Sequence, residues 1–212
     1  TTEIYTLSLH DALPICISDA LKEGIDIGIA IATVSPAATE NLRFVKSVVK
    51  SLVDKLPTNN TRYSVIIFGD QSFTKLTFQD TFPDDTSLKA FIDGLPGTTG
   101  ASNLEKALKE SLKLFTNALH KRPEHSRILL IFTDQPSSGN ELNSIQLAKK
   151  LDDMGVQIIA VPIDMQGSRE KLERVVQTRK NIINSNKDDV PGNVAQRIVQ
   201  RASRGKTFFM TE

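Results

Sequence analysis

The chain has 212 residues, with 26 Lys and Arg against 25 Asp and Glu for a net charge of +1, and its 39% hydrophobic and 24% charged content is that of an ordinary globular protein rather than a disordered tract. So balanced a total supplies no basic field to drive nonspecific nucleic-acid binding or attraction to anionic lipid. No apolar run approaches the roughly 20 residues of a transmembrane helix, and a single cysteine, Cys16, excludes an internal disulfide framework and a thiolate zinc cluster together.

Residues 1–20 read as a non-domain leader. The string TTEIYTLSLHDALPI has no basic n-region, and Asp11 interrupts its apolar residues. It reads as translated sequencing adapter, so it is set aside from fold reasoning together with His10 and Cys16. The domain is expected over 21–203, followed by a tail, 204–212.

Ile25 to Val34 (IDIGIAIATV) is a nearly continuous apolar run of strand length, the pattern of a strand covered on both faces. Leu42, Val45, Val49, Leu52, Val53 and Leu56 follow at helical spacing, and Pro57 ends that pattern. Tyr63 to Phe68 predicts a second strand, and Phe73 to Phe78 alternates after a Gly69-Asp70-Gln71 turn, giving a hairpin with an antiparallel edge strand. Leu88, Phe91, Ile92 and Leu95 predict a short helix closed by Pro96-Gly97. After the loop GTTGA, Ser102 with Glu105 three residues on is a capping-box signature for a long helix carrying Leu104, Leu108, Leu112, Phe115 and Leu119. Arg127 to Thr133 (RILLIFT) predicts a buried strand leading into Asp134 and the loop QPSSG. Leu142 to Met154 predicts a helix stopped by Gly155, and Val156 to Ile163 the next strand. Leu172, Val175 and Val176 mark a further helix, Asn181 to Asn184 a short last strand, and Pro191 to Ala202 the final helix.

This alternation predicts an α/β, doubly wound, Rossmann-like domain. Its sheet should be mainly parallel and six-stranded, with one antiparallel edge strand and helices on both faces. In such a sheet ligands gather beyond the carboxyl ends of the strands, where strand order reverses. Three polar loops are expected to converge there: Thr33 to Thr39, Gly97 to Ser102, and Asp134 to Ser138.

On these residues the chain from about Gly24 to Ser203 resembles a von Willebrand factor type A domain. In that family the first strand opens with Asp and ends in Asp-x-Ser-x-Ser, which binds Mg²⁺ or Mn²⁺ together with a Thr before a helix and an Asp in a Thr-Asp-Gly-like turn. Asp26 stands at the strand-opening position, and Asn41-Leu42-Arg43-Phe44-Val45-Lys46 continues in the family's style. Ser102-Asn103-Leu104-Glu105-Lys106-Ala107-Leu108 is similar to the family's Thr-x-Thr-Gly-x-Ala-Leu, with Ser102 in the metal-site Thr position. Ile131-Phe132-Thr133-Asp134 keeps the last acid.

The departures fall on the metal ligands themselves. The expected Asp is Ala32, and the two serines fall on Val34 and Pro36; a one-residue slip recruits Thr33 and Ser35 but still no acid. Mg²⁺ wants near-octahedral oxygen coordination, and Ser102 with Asp134 offers one hydroxyl and one carboxylate. The site is therefore expected to be vestigial: no metal and no cofactor, with Asp134 capping its turn.

Other motifs carry less. GLPGTTGASN lacks the Lys-Ser/Thr of a phosphate-binding loop, and GxSxG is absent. His120 and His125 flank Pro123 and read as solvated loop residues at the end opposite the rim. Asn59-Asn60-Thr61 is a glycosylation sequon, usable in a secreted chain.

The resemblance implies a binding module rather than an enzyme: an adhesion or matrix-type domain, extracellular or at the cell surface, recognising a protein ligand without metal through Thr33, Ser35, Thr99, Ser102 and Asp134. No nucleic-acid partner and no membrane insertion are expected. An intracellular scaffold of the same fold stays open. So does a doubly wound enzyme, which needs a deep pocket with a second carboxylate or a histidine at the strand ends.

Overall fold

The structure, a computed structural model, describes residues 24–165 and 169–205. The leader 1–20 with His10 and Cys16, and the tail from residue 206, lie outside the described residues.

The element order is β1 (Ile25–Ala32), α1 (Ala38–Lys55), β2 (Thr61–Phe68), β3 (Ser72–Leu76), α2 (Asp85–Asp93), α3 (Leu104–Lys121), β4 (Ser126–Thr133), α4 (Glu141–Asp153), β5 (Val156–Pro162), α5 (Glu170–Val175), a 3₁₀ turn (Arg179–Asn181) and α6 (Pro191–Gly205). The strands form one sheet in the order β3-β2-β1-β4-β5. β1 pairs in parallel with both β2 and β4, β4 pairs in parallel with β5, and β3 runs antiparallel at the edge. The apolar opening run thus lies at the centre of the sheet, where both faces are covered.

The expected sixth strand is not a full strand. Ile182 bridges to Ala160 of β5 and Ser185 to Ile163 just beyond it, with Ile183 N–H donating to Ala160 O and Ser185 N–H to Pro162 O. The 3₁₀ turn immediately before Ile182 and the polar run Asn184 to Asp189 after it leave too little chain for a longer ladder. The sheet therefore has five strands plus this short bridged segment.

Period-two alternation sorts β1 between two cores. Ile25, Ile27, Ile29 and Ile31 face α1, α2 and α6, packing with Val45, Val49, Leu52, Ile92 and Ile198. Ala30 and Ala32 face α3, α4 and α5, with Leu104, Leu108, Phe115 and Leu151. Small residues are required on this second face because α3 lies close: a β carbon on Gly28 would come within 2.9 Å of the Phe115 ring.

Candidate functional site

Parallel pairing sets Ala32 of β1 opposite Thr133 of β4, so the chain leaves the two central strands side by side. The first residue beyond β4 is Asp134, and it is 3% exposed. A buried carboxylate needs donors, and the β1–α1 loop supplies them. Val34 N–H donates to Asp134 Oδ1 at 2.9 Å. Ser35 donates to Oδ2 twice, from N–H at 3.2 Å and from Oγ–H at 2.8 Å. Asn41, in the first turn of α1, donates from Nδ2 to the same oxygen at 3.1 Å and to Ser35 Oγ at 3.2 Å.

The second loop is tied to the first by one hydroxyl. Thr98 Oγ1 accepts from Thr33 N–H at 3.0 Å and donates to Thr33 O at 2.9 Å. Its far side is fastened to the β2–β3 turn. Asp70 N–H donates to Thr99 O, and Ala101 N–H donates to Asp70 Oδ1 at 2.8 Å. This approach needs two glycines: a β carbon on Gly69 would sit 2.1 Å from Thr99 O, and Gly100 holds φ +80° against the Asp70 carboxylate.

The third loop closes on the second. Ser138 N–H donates to Ser102 O at 2.7 Å, and Leu104 N–H to Ser137 Oγ at 2.9 Å. Lys171 of α5 donates to Ser137 O and Gly139 O at 3.1 and 2.7 Å. The capping residue of α3 is Asn103, whose side chain accepts from Lys106 N–H, in place of the expected Ser102–Glu105 box. Glu105 instead holds the start of α4, accepting from Asn140 N–H and Asn143 Nδ2.

The three loops therefore meet at one rim, but at different depths. Thr33, Ser102 and Asp134 are 0%, 2% and 3% exposed and lie beneath the surface. Ser35 is half-buried and Thr99 exposed. Asn41 and Thr98, which sequence reasoning did not single out, are the connectors. Asn41 had a signal: it precedes Phe44, Val45 and Val48 at helical spacing, and so puts a polar side chain on the core-facing stripe of α1.

The donor set does not fit a divalent cation. Ala32 has no oxygen in its side chain, and neither have Val34 and Pro36. The one carboxylate already faces three N–H groups and a hydroxyl, which present to it the partial positive charge a cation would supply. Among the described residues no group of three or more His, Cys, Asp or Glu is placed to hold a metal. The cavity beside Ser102 and Thr133 measures about 10 Å³, room for about one water.

The opposite end of the sheet holds a different cluster. Asp26, fully buried, accepts from Arg62 Nε and Nη2 at 2.7 and 2.6 Å, with Arg122 Nη1 at 3.6 Å. His125 belongs to this cluster and is not a solvated loop residue: its Nε2 accepts from Arg122 Nε at 3.0 Å, and its ring covers the Cα of Gly24. Burial first, then the Arg122 charge, hold its pKa below the ordinary histidine value. Asn59 of the sequon is exposed in the α1–β2 turn.

Comparison with known proteins agrees with this fold. The sequence profile of the von Willebrand factor type A domain matches residues 26–198. Among solved structures, proximal thread matrix protein 1 from the mussel byssus, with a zinc-occupied MIDAS motif, superposes with a TM-score of 0.72 at 18% identity, over 85% of this chain and 46% of that one. The manganese-loaded TRAP protein of Plasmodium vivax gives 0.65 at 13% identity, over 83% and 74%. A von Willebrand factor type A protein of Catenulispora acidiphila gives 0.64 at 11%, over 86% and 42%. The chain thus spans less than half the length of the mussel chain.

Proposed function

Because the chain belongs to the von Willebrand factor type A family, a family of protein-interaction and adhesion modules, we propose that it is a protein-binding module of a larger extracellular or cell-surface protein that works at its loop rim without a metal ion. The observation that carries this reading is the Asp134 carboxylate: its four internal donors tie the β1–α1 and β4–α4 loops together directly. A rim fixed in this way is preorganised, which lowers the entropic cost of engaging a partner.

The contact patch we assign is Ser35 and Thr99, with the exposed Pro36 next to Ser35 and the exposed Pro136 two residues after Asp134, supported from below by Thr33, Ser102 and Asp134. The rim cavity of about 10 Å³ is too small for a substrate and supports binding over catalysis. The matrix setting named for the mussel relative supports an extracellular placement.

The test is a binding array of matrix and cell-surface proteins probed with the domain in EDTA. A Thr99→Arg variant, placed on an exposed loop, should lose the interaction while a Lys113→Ala control on the exposed face of α3 keeps it. Binding that appears only with Mg²⁺ or Mn²⁺, or that survives Thr99→Arg unchanged, contradicts the proposal.

A further inference from the structure

The near-neutral total conceals a polarised distribution of charge. Residues 169–205 carry nine Lys and Arg against four Asp and Glu, a net +5, so the rest of the chain carries −4. Two of those cations are paired with acids outside the segment, Arg174 with Glu141 and Lys187 with Glu40, which leaves an excess of three, and such asymmetry points to an anionic partner for the basic part.

Part of that charge is gathered in one place. Arg169 Nη1 donates to Asn184 Oδ1 at 2.6 Å, and Arg197 Nη1 donates to Asn184 O at 3.2 Å, so two guanidinium groups close on one residue. Arg197 and Arg201 stand one turn apart on α6. With Gln200 and the bridged segment Ile182 to Asn184 they line an open groove of about 400 Å³. Lys180 is exposed two residues before that segment. The opposing carboxylate here is Asp189, 3.3 Å from Arg197 Nη2, and it also accepts from Ser185 Oγ and Asn186 N–H. It offsets part of the cluster's charge and leaves an excess.

We propose that this groove binds a sulfated polysaccharide chain, of the heparan type, independently of the rim. Guanidinium groups pair bidentately with planar or tetrahedral oxyanions, and i, i+4 spacing on α6 sets two of them on one face of the helix, both lining the groove. Asn184 and Gln200 add amide groups suited to sugar hydroxyls. Among the described residues the lining holds no aromatic ring on which a base could stack, which disfavours single-stranded nucleic acid. A groove between a helix and a strand edge follows a linear polymer, whereas a bilayer surface requires a flat basic face.

The experiment passes the full chain over immobilised heparin at physiological salt. Wild type is retained. The Arg197→Ala/Arg201→Ala double variant binds about ten-fold more weakly, and the slope of log affinity against log salt falls by about two, roughly one released counterion for each lost contact. Lys109→Ala/Lys113→Ala on α3 removes the same charge elsewhere and leaves binding unchanged. Fully desulfated heparin, single-stranded DNA and phosphatidylserine vesicles compete poorly. Because Arg197 also bonds Asn184, thermal unfolding is run on every variant, and Arg201→Ala alone, which keeps that bond, should still weaken binding. No retention of wild type, equal loss in the α3 variant, an Arg201→Ala variant that binds like wild type, or equal competition by DNA or vesicles would overturn the proposal.

Discussion

Asn41 and Asp134 are 93 positions apart, yet the amide of one donates to the carboxylate of the other at 3.1 Å beneath the rim. The contact joins the first turn of α1 to the end of β4. With Val34 and Ser35 it turns an acid that the family resemblance assigns to a metal into an anchor for two loops. Metal-loaded relatives reach a similar backbone at 13% and 18% identity.

Asp134→Ala removes the acceptor for four donors and strands Val34 N–H, Ser35 and Asn41 in a largely dry environment. We expect a loss of about 2–4 kcal/mol in urea unfolding, because unsatisfied buried donors each cost on the order of 1 kcal/mol or more. The loss should be equal in EDTA and in Mg²⁺. A loss seen only with the cation present would mean that the acid serves the ion and not the loops.

Asn41→Leu keeps the branched shape in a slightly larger side chain and removes the amide that donates to Asp134 and Ser35. The expected cost is smaller, about 1–2 kcal/mol. Its local signature is faster amide exchange at Val34 and Ser35, measured by hydrogen exchange. Unchanged protection there would remove Asn41 from the account.

Asp26 answers three arginines at the other end of the sheet. Asp26→Asn leaves Arg62 and Arg122 beside Arg127 without their buried counter-charge, and breaking such a pair costs about 3–5 kcal/mol. Chemical denaturation measures it, and a loss below about 1 kcal/mol would show that solvent already screens the cluster.

His125 gives the fold a dependence on pH. Burial first, then the charges of Arg122, Arg62 and Arg127, lower its pKa from 6.5 against the opposing pull of Asp26, and its ring accepts from Arg122, so the fold favours the neutral ring. A depressed pKa adds stability that is fully present above the unfolded value. That stability is lost as pH falls from about 6.5 through the folded value. A His125→Gln variant, unable to take up the proton, should show a shallower fall in Tm between pH 7 and pH 5. Parallel curves for the two proteins would rule the histidine out as a cause.

Much of this was legible in the sequence. The run Ile25 to Val34 marks a strand covered on both faces, and the structure places β1 in the middle of the sheet. Convergence of three polar loops follows from parallel strands ending together, as Ala32 and Thr133 do. Depth was not legible: hydroxyls at Thr33 and Ser102 look alike in sequence whether they face solvent or core, and only packing separates them from Thr99. Asn181 to Asn184 has strand-like residues, but a 3₁₀ turn shortens the sixth strand that they predict. Nothing in the sequence marks His125 as part of a buried cluster, because Arg122 and Gly24 close on its ring only in the folded chain.

The most direct test is a titration of Mg²⁺ and Mn²⁺ into metal-free protein, followed by thermal unfolding. A ligand that binds the native state raises Tm in a saturable way, so an anchor made of protein donors alone predicts a flat Tm for both ions at every concentration. A saturable rise in the wild type that Asp134→Asn abolishes would show a cation held at the rim and would contradict the central claim.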